Sequence, residues 1–309
     1  MLDGKLLGSI VMGLALLVGG RSEAEPTTIG YIKPDAAGDE RDAYFLDVLE
    51  LALEKTEEDF GEYQLQEAPL RMNQSRAMRE MLAGRHIDVL WSMTDPDRES
   101  RLRPIRVPLL KGLLGIRLPL VRQKEVDMMA SVSRLSDLKG FSPGQGHDWP
   151  DTRILQGNDI AVETSASYEG LFRMLEKGRV DYIPRAVVEI GAEQDLYERF
   201  NLVPGTGPLI AYPAPIYFFV APDNRALAER LELGLQRAIE TNAFQSLFET
   251  YPAHSMAIEQ YLSGDRPIIW LDNPFLPEQT PLDDEALWFE PVFRYRTMLH
   301  KRSSGKERD

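Results

Sequence analysis

Cysteine is absent from all 309 residues. That excludes disulfides, thiolate metal ligands, a cysteine nucleophile and a lipid-modified N-terminal cysteine. A chain without cross-links relies on its core, and 43% apolar residues over this length can bury one. Histidine is scarce too. His86, His147, His254 and His300 are scattered without the spacing of metal ligands, so no metal or other cofactor is expected. There is no Gly-x-Ser-x-Gly elbow, no phosphate loop, and no acid pair that stands out among 49 acids, so the chain is not read as an enzyme. Positive charge is in deficit, with 35 Lys and Arg against 49 Asp and Glu and a formal net charge of −14. Such a surface repels nucleic acid and anionic lipid.

Long apolar runs are also rare. The exception, "LLGSIVMGLALLVGG", follows Lys5 and ends at Arg21, with Ser22 and Ala24 at the two positions a signal peptidase reads. Residues 1–24 are therefore expected to be a cleavable leader that sends the protein to the periplasm, with an uncleaved anchor as the alternative.

Beyond the leader, strand and helix patterns alternate as in an α/β protein. "TTIGYI" reads as a strand, and "DAYFLDVLELALEKT" as an amphipathic helix with Asp42 placed to cap it. "EYQLQEAP" alternates as a strand does. "NQSRAMREMLAG" is a helix between the cap Asn73 and the stop Gly84, and "HIDVLWSM" is the next strand. Then come a short helix in "SRLSDLKG", a glycine-rich loop through "FSPGQGHDW", a strand in "DIAVETSA" and a helix in "SYEGLFRMLEKGR". "VDYIPRA" reads as a strand and "VVEIGAEQDLYERF" as a helix. Prolines and aromatics make "PLIAYPAPIYFFV" extended. Asp223 or Asn224 caps one long helix, "RALAERLELGLQRAIETNAFQSLFETY". The remainder is punctuated by proline and ends in a charged tail.

Four segments, in order, resemble the type II periplasmic substrate-binding proteins, in particular the polar amino-acid receptors of ABC transporters (extracellular solute-binding family 3). They are "GRHIDVLWSMTDPDRESRLRPIRVPL", "LSDLKG…GQG", "LEKGRVDYIPRA" and "APIYFFVAPDNRALAERLELGLQRAI". The resemblance implies two α/β lobes, each a mixed sheet flanked by helices, joined by two crossover hinge strands. In this scheme residues 25–119 begin lobe 1, 120–210 form lobe 2, and 211–309 return through the hinge, complete lobe 1 and end in the tail. The extended segments "GIRLPLVRQ" and "LIAYPAPIYFFV" lie where the crossings belong. A small polar ligand, an amino acid or another small carboxylate, is clamped between the lobes. A monomer then hands it to an ABC permease or reports it to a membrane sensor; a third reading, an enzyme on the same fold, would need an acid or base in the cleft.

The resemblance also assigns residues. Arg98 takes the place of the arginine that grips the ligand carboxylate with its two-pronged guanidinium; the alternative is a turn in which it pairs with Asp95, Asp97 or Glu99. Ser92 and Thr94 are suited to orienting a polar ligand, or simply end a strand. Trp91 stacks on the ligand or fills the core. Gly144, Gln145 and Gly146 are expected to offer free amides at a helix N-terminus to an anion from lobe 2, or form an ordinary turn. Tyr31, with Lys33, is a candidate for the cleft wall. The family's acid for an α-amino group belongs a few positions after Asp181. Here Arg185 stands in that region and no acid follows until Glu189, so if Arg98 and Arg185 both face the cleft the guest is expected to be anionic or to lack a free amine. In the alternative Arg185 pairs with Glu189 on the surface.

Overall fold

The structure is a computed structural model and describes residues 25–33 and 42–289. The expected leader (1–24) and the last twenty residues of the tail lie outside the described residues. No helix among the described residues is long and apolar enough to cross a membrane.

Two mixed sheets carry the architecture. The first has the order β2-β1-β3-β11-β4, built from β1 (Thr27–Lys33), β2 (Tyr63–Arg71), β3 (Val89–Met93), β4 (Arg103–Ile105) and β11 (Ile216–Val220). β1 pairs in parallel with β2 and β3, each reached through a helix, Ala43–Glu54 and Gln74–Leu82. The late strand β11 runs antiparallel between β3 and β4. All five residues of β11, Ile-Tyr-Phe-Phe-Val, are buried, which suits a β-branched and aromatic run between two neighbours.

The second sheet has the order β12-β10-β5-β8, with β9 also on β5. Its strands are β5 (Ile116–Arg122), β8 (Ile183–Ala186), β9 (Leu202–Pro204), β10 (Leu209–Ala211) and β12 (Ile268–Trp270). A separate parallel pair, β6 (Gly144–Gly146) and β7 (Glu163–Ser165), lies beside it. The chain passes from β4 to β5 and returns from β10 to β11, so the two extended segments read from the sequence both reach between sheets.

Several local expectations are corrected. Residues 211–309 do not stay with the first sheet, because Ile268–Trp270 adds β12 in parallel to β10. Asn158 Nδ2 donates to the Asp272 carbonyl (2.7 Å) and Arg266 Nε to that of Gly207 (2.6 Å), holding this return. The chain then comes back, and Lys111 Nζ donates to the Ala286 carbonyl beside Phe244 and Phe248. The polypeptide thus spans the two units four times, not twice. The long helix after Asn224 is two, Arg225–Glu240 and Ala243–Thr250, broken where Asn242 adopts φ +59°. Of "VVEIGAEQDLYERF" only Gln194–Arg199 is helical; two valines, an isoleucine and Gly191 are weak helix formers, and the carboxylates there have other partners. Asn73 and Asn224 do cap their helices, accepting from Arg76 N (3.0 Å) and Leu227 N (3.3 Å). Asp42 makes no such bond; its carboxylate accepts the indole N–H of Trp91 at 2.7 Å.

The first unit closes over its sheet by helix-to-helix contact. Ala43–Glu54 buries Tyr44, Phe45, Val48, Leu49, Ala52 and Leu53 on one face and packs against Arg225–Glu240. Gly234 makes the approach possible, since a Cβ there would lie 2.0 Å from the Ala52 carbonyl oxygen. Alanine in place of helical glycine normally stabilises by about 1 kcal/mol. At Gly234 the sign reverses, because backbone must move, and overpacking of this kind costs about 1–3 kcal/mol. Gly234→Ala is expected to lower the melting temperature by several degrees in differential scanning calorimetry; an unchanged or raised value refutes the contact.

Candidate functional site

A cavity of about 1390 Å³ opens between the two sheets. From the first unit it is walled by Trp91, Ser92 and Met93 at the carboxyl end of β3, where ligands sit in open α/β sheets. From the second unit come Arg117 at the start of β5, Gly146 through Trp149 after β6, and Arg185 on β8. A third wall, Tyr251 to Tyr261, belongs to the helix that carries the chain towards β12.

The floor is a buried ionic cluster. Arg185 donates Nε to Glu193 Oε2 at 2.9 Å and Nη2 to Glu193 Oε1 at 2.5 Å, the bidentate geometry a guanidinium favours. Its Nη2 also lies 2.9 Å from Glu189 Oε1. Arg117 donates to Asp151 (Nη2–Oδ1 2.5 Å), with Glu189 Oε2 3.4 Å from its Nη1. Tyr212 bonds Asp151 as well, and Tyr168 and Tyr197 bond Glu193. Both arginine side chains are under 5% exposed. Burial acts to lower each guanidinium pKa, but the neighbouring carboxylates outweigh it and hold both above the ordinary value. The same burial raises Tyr197 and Tyr212. Two guanidiniums face three carboxylates, leaving one formal negative charge in excess.

Among the residues expected at the site, Trp91, Ser92, Gly146 and Arg185 line this cavity. Trp91 also belongs to the core, with Phe45 and Tyr31 stacked at 5.6 and 6.4 Å. Tyr31 therefore buttresses Trp91 and is not among the lining residues; Lys33 is, paired with Glu67. Ser92 Oγ donates to Gln74 Oε1 at 3.0 Å.

Arg98 and Thr94 border a smaller, neighbouring groove of about 670 Å³. Arg98 is neither a free fork nor a solvated turn. Its Nη1 donates to Asp95 (2.7 Å) and the Met93 carbonyl (3.1 Å), and its Nη2 to Gln74 (2.8 Å), all within the first unit. Thr94 Oγ1 donates to Glu99 at 2.6 Å. The glycine-rich loop is a strand, not an anion cradle. Gly144 N donates to the Tyr182 carbonyl (2.8 Å), Gln145 is fully buried, and Gly146 lies directly under the Trp149 ring. The helix that follows, Pro150–Gly157, presents Asp151 in its first turn to Arg117. Arg185 pairs with Glu189, but in the interior, so it adds no free positive charge to the cleft.

Sequence reasoning passed over Arg117, Asp151 and Glu193. Arg117 did leave a trace: an arginine in the apolar run "GIRLPLV" must be charge-paired if the strand is buried. Glu193 left none, because the turn that brings it back eight positions to Arg185 was read as helix.

His254 completes the third wall. It is 2% exposed, held among Tyr44, Phe248 and Tyr251, with Nδ1 3.0 Å from the Phe248 carbonyl. A carbonyl only accepts, so Nδ1 carries the proton. Burial lowers the imidazole pKa to about 4, so the ring is neutral.

No protein-family model and no curated protein sequence matches this chain. Solved structures do. An ancestral arginine-binding protein bound to arginine aligns with a TM-score of 0.52 at 15% identity, over 74% of this chain and 99% of its own. An amino acid ABC transporter substrate-binding protein from Streptococcus pneumoniae, bound to L-arginine, gives 0.52 at 14% identity, over 74% and 94%. A histidine kinase sensor domain with similarity to periplasmic binding proteins gives 0.51 at 15% identity, over 75% and 98%. At these identities the likeness is one of fold: this chain has the two-unit α/β fold of the periplasmic amino-acid-binding proteins.

The cluster and the histidine each make a prediction. Removing one member of a buried pair strands the other, at a cost of about 3–5 kcal/mol. Glu193→Ala is therefore expected to reduce unfolding free energy by that amount in urea titration, and a loss below about 1 kcal/mol refutes the pairing. For His254 the folded pKa lies below the unfolded one, so the unfolded chain takes up the proton first as pH falls. Its contribution to stability is complete at neutral pH and is lost between about pH 6.5 and pH 4, amounting to about 3 kcal/mol. Acidification to about pH 4.5 is expected to destabilise the native protein by about 2 kcal/mol more than it destabilises His254→Gln. Equal losses refute a buried neutral imidazole.

Proposed function

We propose that this protein is a non-enzymatic solute-binding protein that holds a small polar molecule in the cleft between its two units. The observation that carries the reading is the cavity itself, walled by β3 on one side and by β5, β8 and the residues after β6 on the other. A pocket with an apolar lining and a few convergent polar groups at a domain boundary is the usual setting for a small ligand. Trp91, Ser92 and Gly146 contact the solute, and the buried Arg117–Arg185 cluster fixes the floor beneath it. The solute is then passed, outside the cytoplasm, to an ABC-type permease by a monomeric receptor exported on its leader. The amino-acid-binding proteins of the same fold support this direction. The likeness to a histidine kinase sensor domain supports a second use of the cleft, in which occupancy is reported to a membrane sensor.

Native mass spectrometry of the protein, exposed to an extract of its host and desalted, tests the reading. A bound species below about 1 kDa is expected, released on denaturation and accompanied by a rise in melting temperature when added back. A protein that stays at its bare mass and whose melting point no extract fraction moves is not a solute receptor.

A further inference from the structure

Among the described residues, four large apolar side chains remain exposed: Leu70, Leu82, Tyr168 and Met256. Single ones scattered over a surface need no explanation. Tyr168 (37% exposed) and Met256 (52%) differ, because both line the cavity, one from the helix Tyr168–Glu176 and the other from Pro252–Ala257. They also meet the same turn. Tyr168 donates its hydroxyl to Glu193, and Met256 Sδ lies 3.7 Å from where a Cβ on Gly191 would stand. The aromatic part of this wall is fixed in advance. The Trp149 ring rests on Gly146, the Tyr168 ring is 6.2 Å from it, and the Arg185 guanidinium lies 5.2 and 5.8 Å from the two. Rings already held in place cost little further ordering when a partner binds. Ionic grip is not what the wall offers. The lysine and the two arginines of the lining are each matched, Lys33 by Glu67, Arg117 by Asp151 and Arg185 by Glu193. A thioether and a phenol ring suit another ring, through sulfur–aromatic and ring–ring contact. A volume of about 1390 Å³ also exceeds the roughly 300–1,000 Å³ of a usual small-molecule pocket, so a ring fits beside a polar head.

We propose that Tyr168 and Met256 form an apolar subsite of the cleft, at the turn around Gly191, and that it takes an aromatic ring carried by the solute. The assignment rests on reading the cleft as a solute site, and it narrows the solute to a polar molecule that also bears a ring. Covering the two side chains removes apolar surface from water, a gain that a solute without such a group cannot make.

Isothermal titration of the full-length protein with pairs that differ only in the ring separates the possibilities: L-tryptophan against L-alanine, the tripeptide Ala-Trp-Ala against Ala-Ala-Ala, and N-acetyl-L-tryptophanamide against N-acetyl-L-alaninamide. Charge is constant within each pair. The ring-bearing member is expected to bind at least about tenfold tighter in one or more pairs. Met256→Gln keeps the length of an exposed side chain but removes the thioether, and is expected to weaken that member about fivefold. Tyr168→Leu is expected to weaken it as well. Leu82→Gln makes the same kind of change outside the cavity and is expected to leave the affinity as it was. Alanine members that bind as tightly as their partners overturn the proposal while leaving the solute-binding reading intact. So does a Met256→Gln protein of unchanged affinity for the ring-bearing member. If no pair binds, the solute caught from host extract decides: one without an aromatic ring overturns the proposal, and so does one whose affinity Met256→Gln leaves unmoved. Capture of nothing at all removes the solute-binding reading and this one with it.

Discussion

Two arginines buried on neighbouring strands set the terms for the second unit. A guanidinium taken out of water is tolerated only where carboxylates meet it, and the desolvation cost is several kcal/mol per ion before compensation. Arg117 on β5 and Arg185 on β8 lie in adjacent ladders, and they recruit Asp151 from one helix and Glu189 and Glu193 from one turn. That requirement explains why residues 187–193 leave the helical path. Val187 N donates to the Ile116 carbonyl, and Glu189 accepts from Ala186 N at 2.9 Å, wrapping the backbone around the arginine it neutralises. The floor of the cleft and the core of the unit are the same set of contacts.

The amino-acid sequence made the frame of the molecule legible and the chemistry of its cleft much less so. β1, β2, β3 and β11 were plain from alternation or from buried aromatic runs, and Asn73 and Asn224 from the requirement of a helix start for a side-chain acceptor. The cleft depends on partners far apart in sequence. Asp95 is three residues from Arg98 and its competition for the guanidinium was foreseeable, whereas Gln74, 24 positions upstream, was not. Glycines at 144 and 146 suggested a turn because glycine permits one; their actual role is space, letting the Trp149 ring lie flat on Gly146. β12 is three residues long, too short for periodicity to reveal, and only its partner β10 defines it.

Charge bookkeeping by residue type also misleads when burial is ignored. Arg185 in place of an acid suggested a positive cleft, yet each buried cation is matched and the surplus has the opposite sign. The overall acidity of the chain, −14, says nothing about this locally, because the relevant ions are withdrawn from solvent and its screening.

The fourfold passage of the chain between its units bears on how those units can move against each other. Two bodies linked by a pair of adjacent strands swing about one axis, like covers about a spine. Here the C-terminal segment is a further connection, tied to the second unit by Asn158–Asp272 and Arg266–Gly207 and to the first by Lys111–Ala286. Connections away from the paired strands restrict such a swing, and shear of packed surfaces is the other mode by which two units move. On the solute-binding reading proposed above, entry would draw on such shear steps and on exposed side chains of the cavity wall, such as Met256, turning aside. On that reading the protein trades wide gaping for a mouth already formed before a guest arrives.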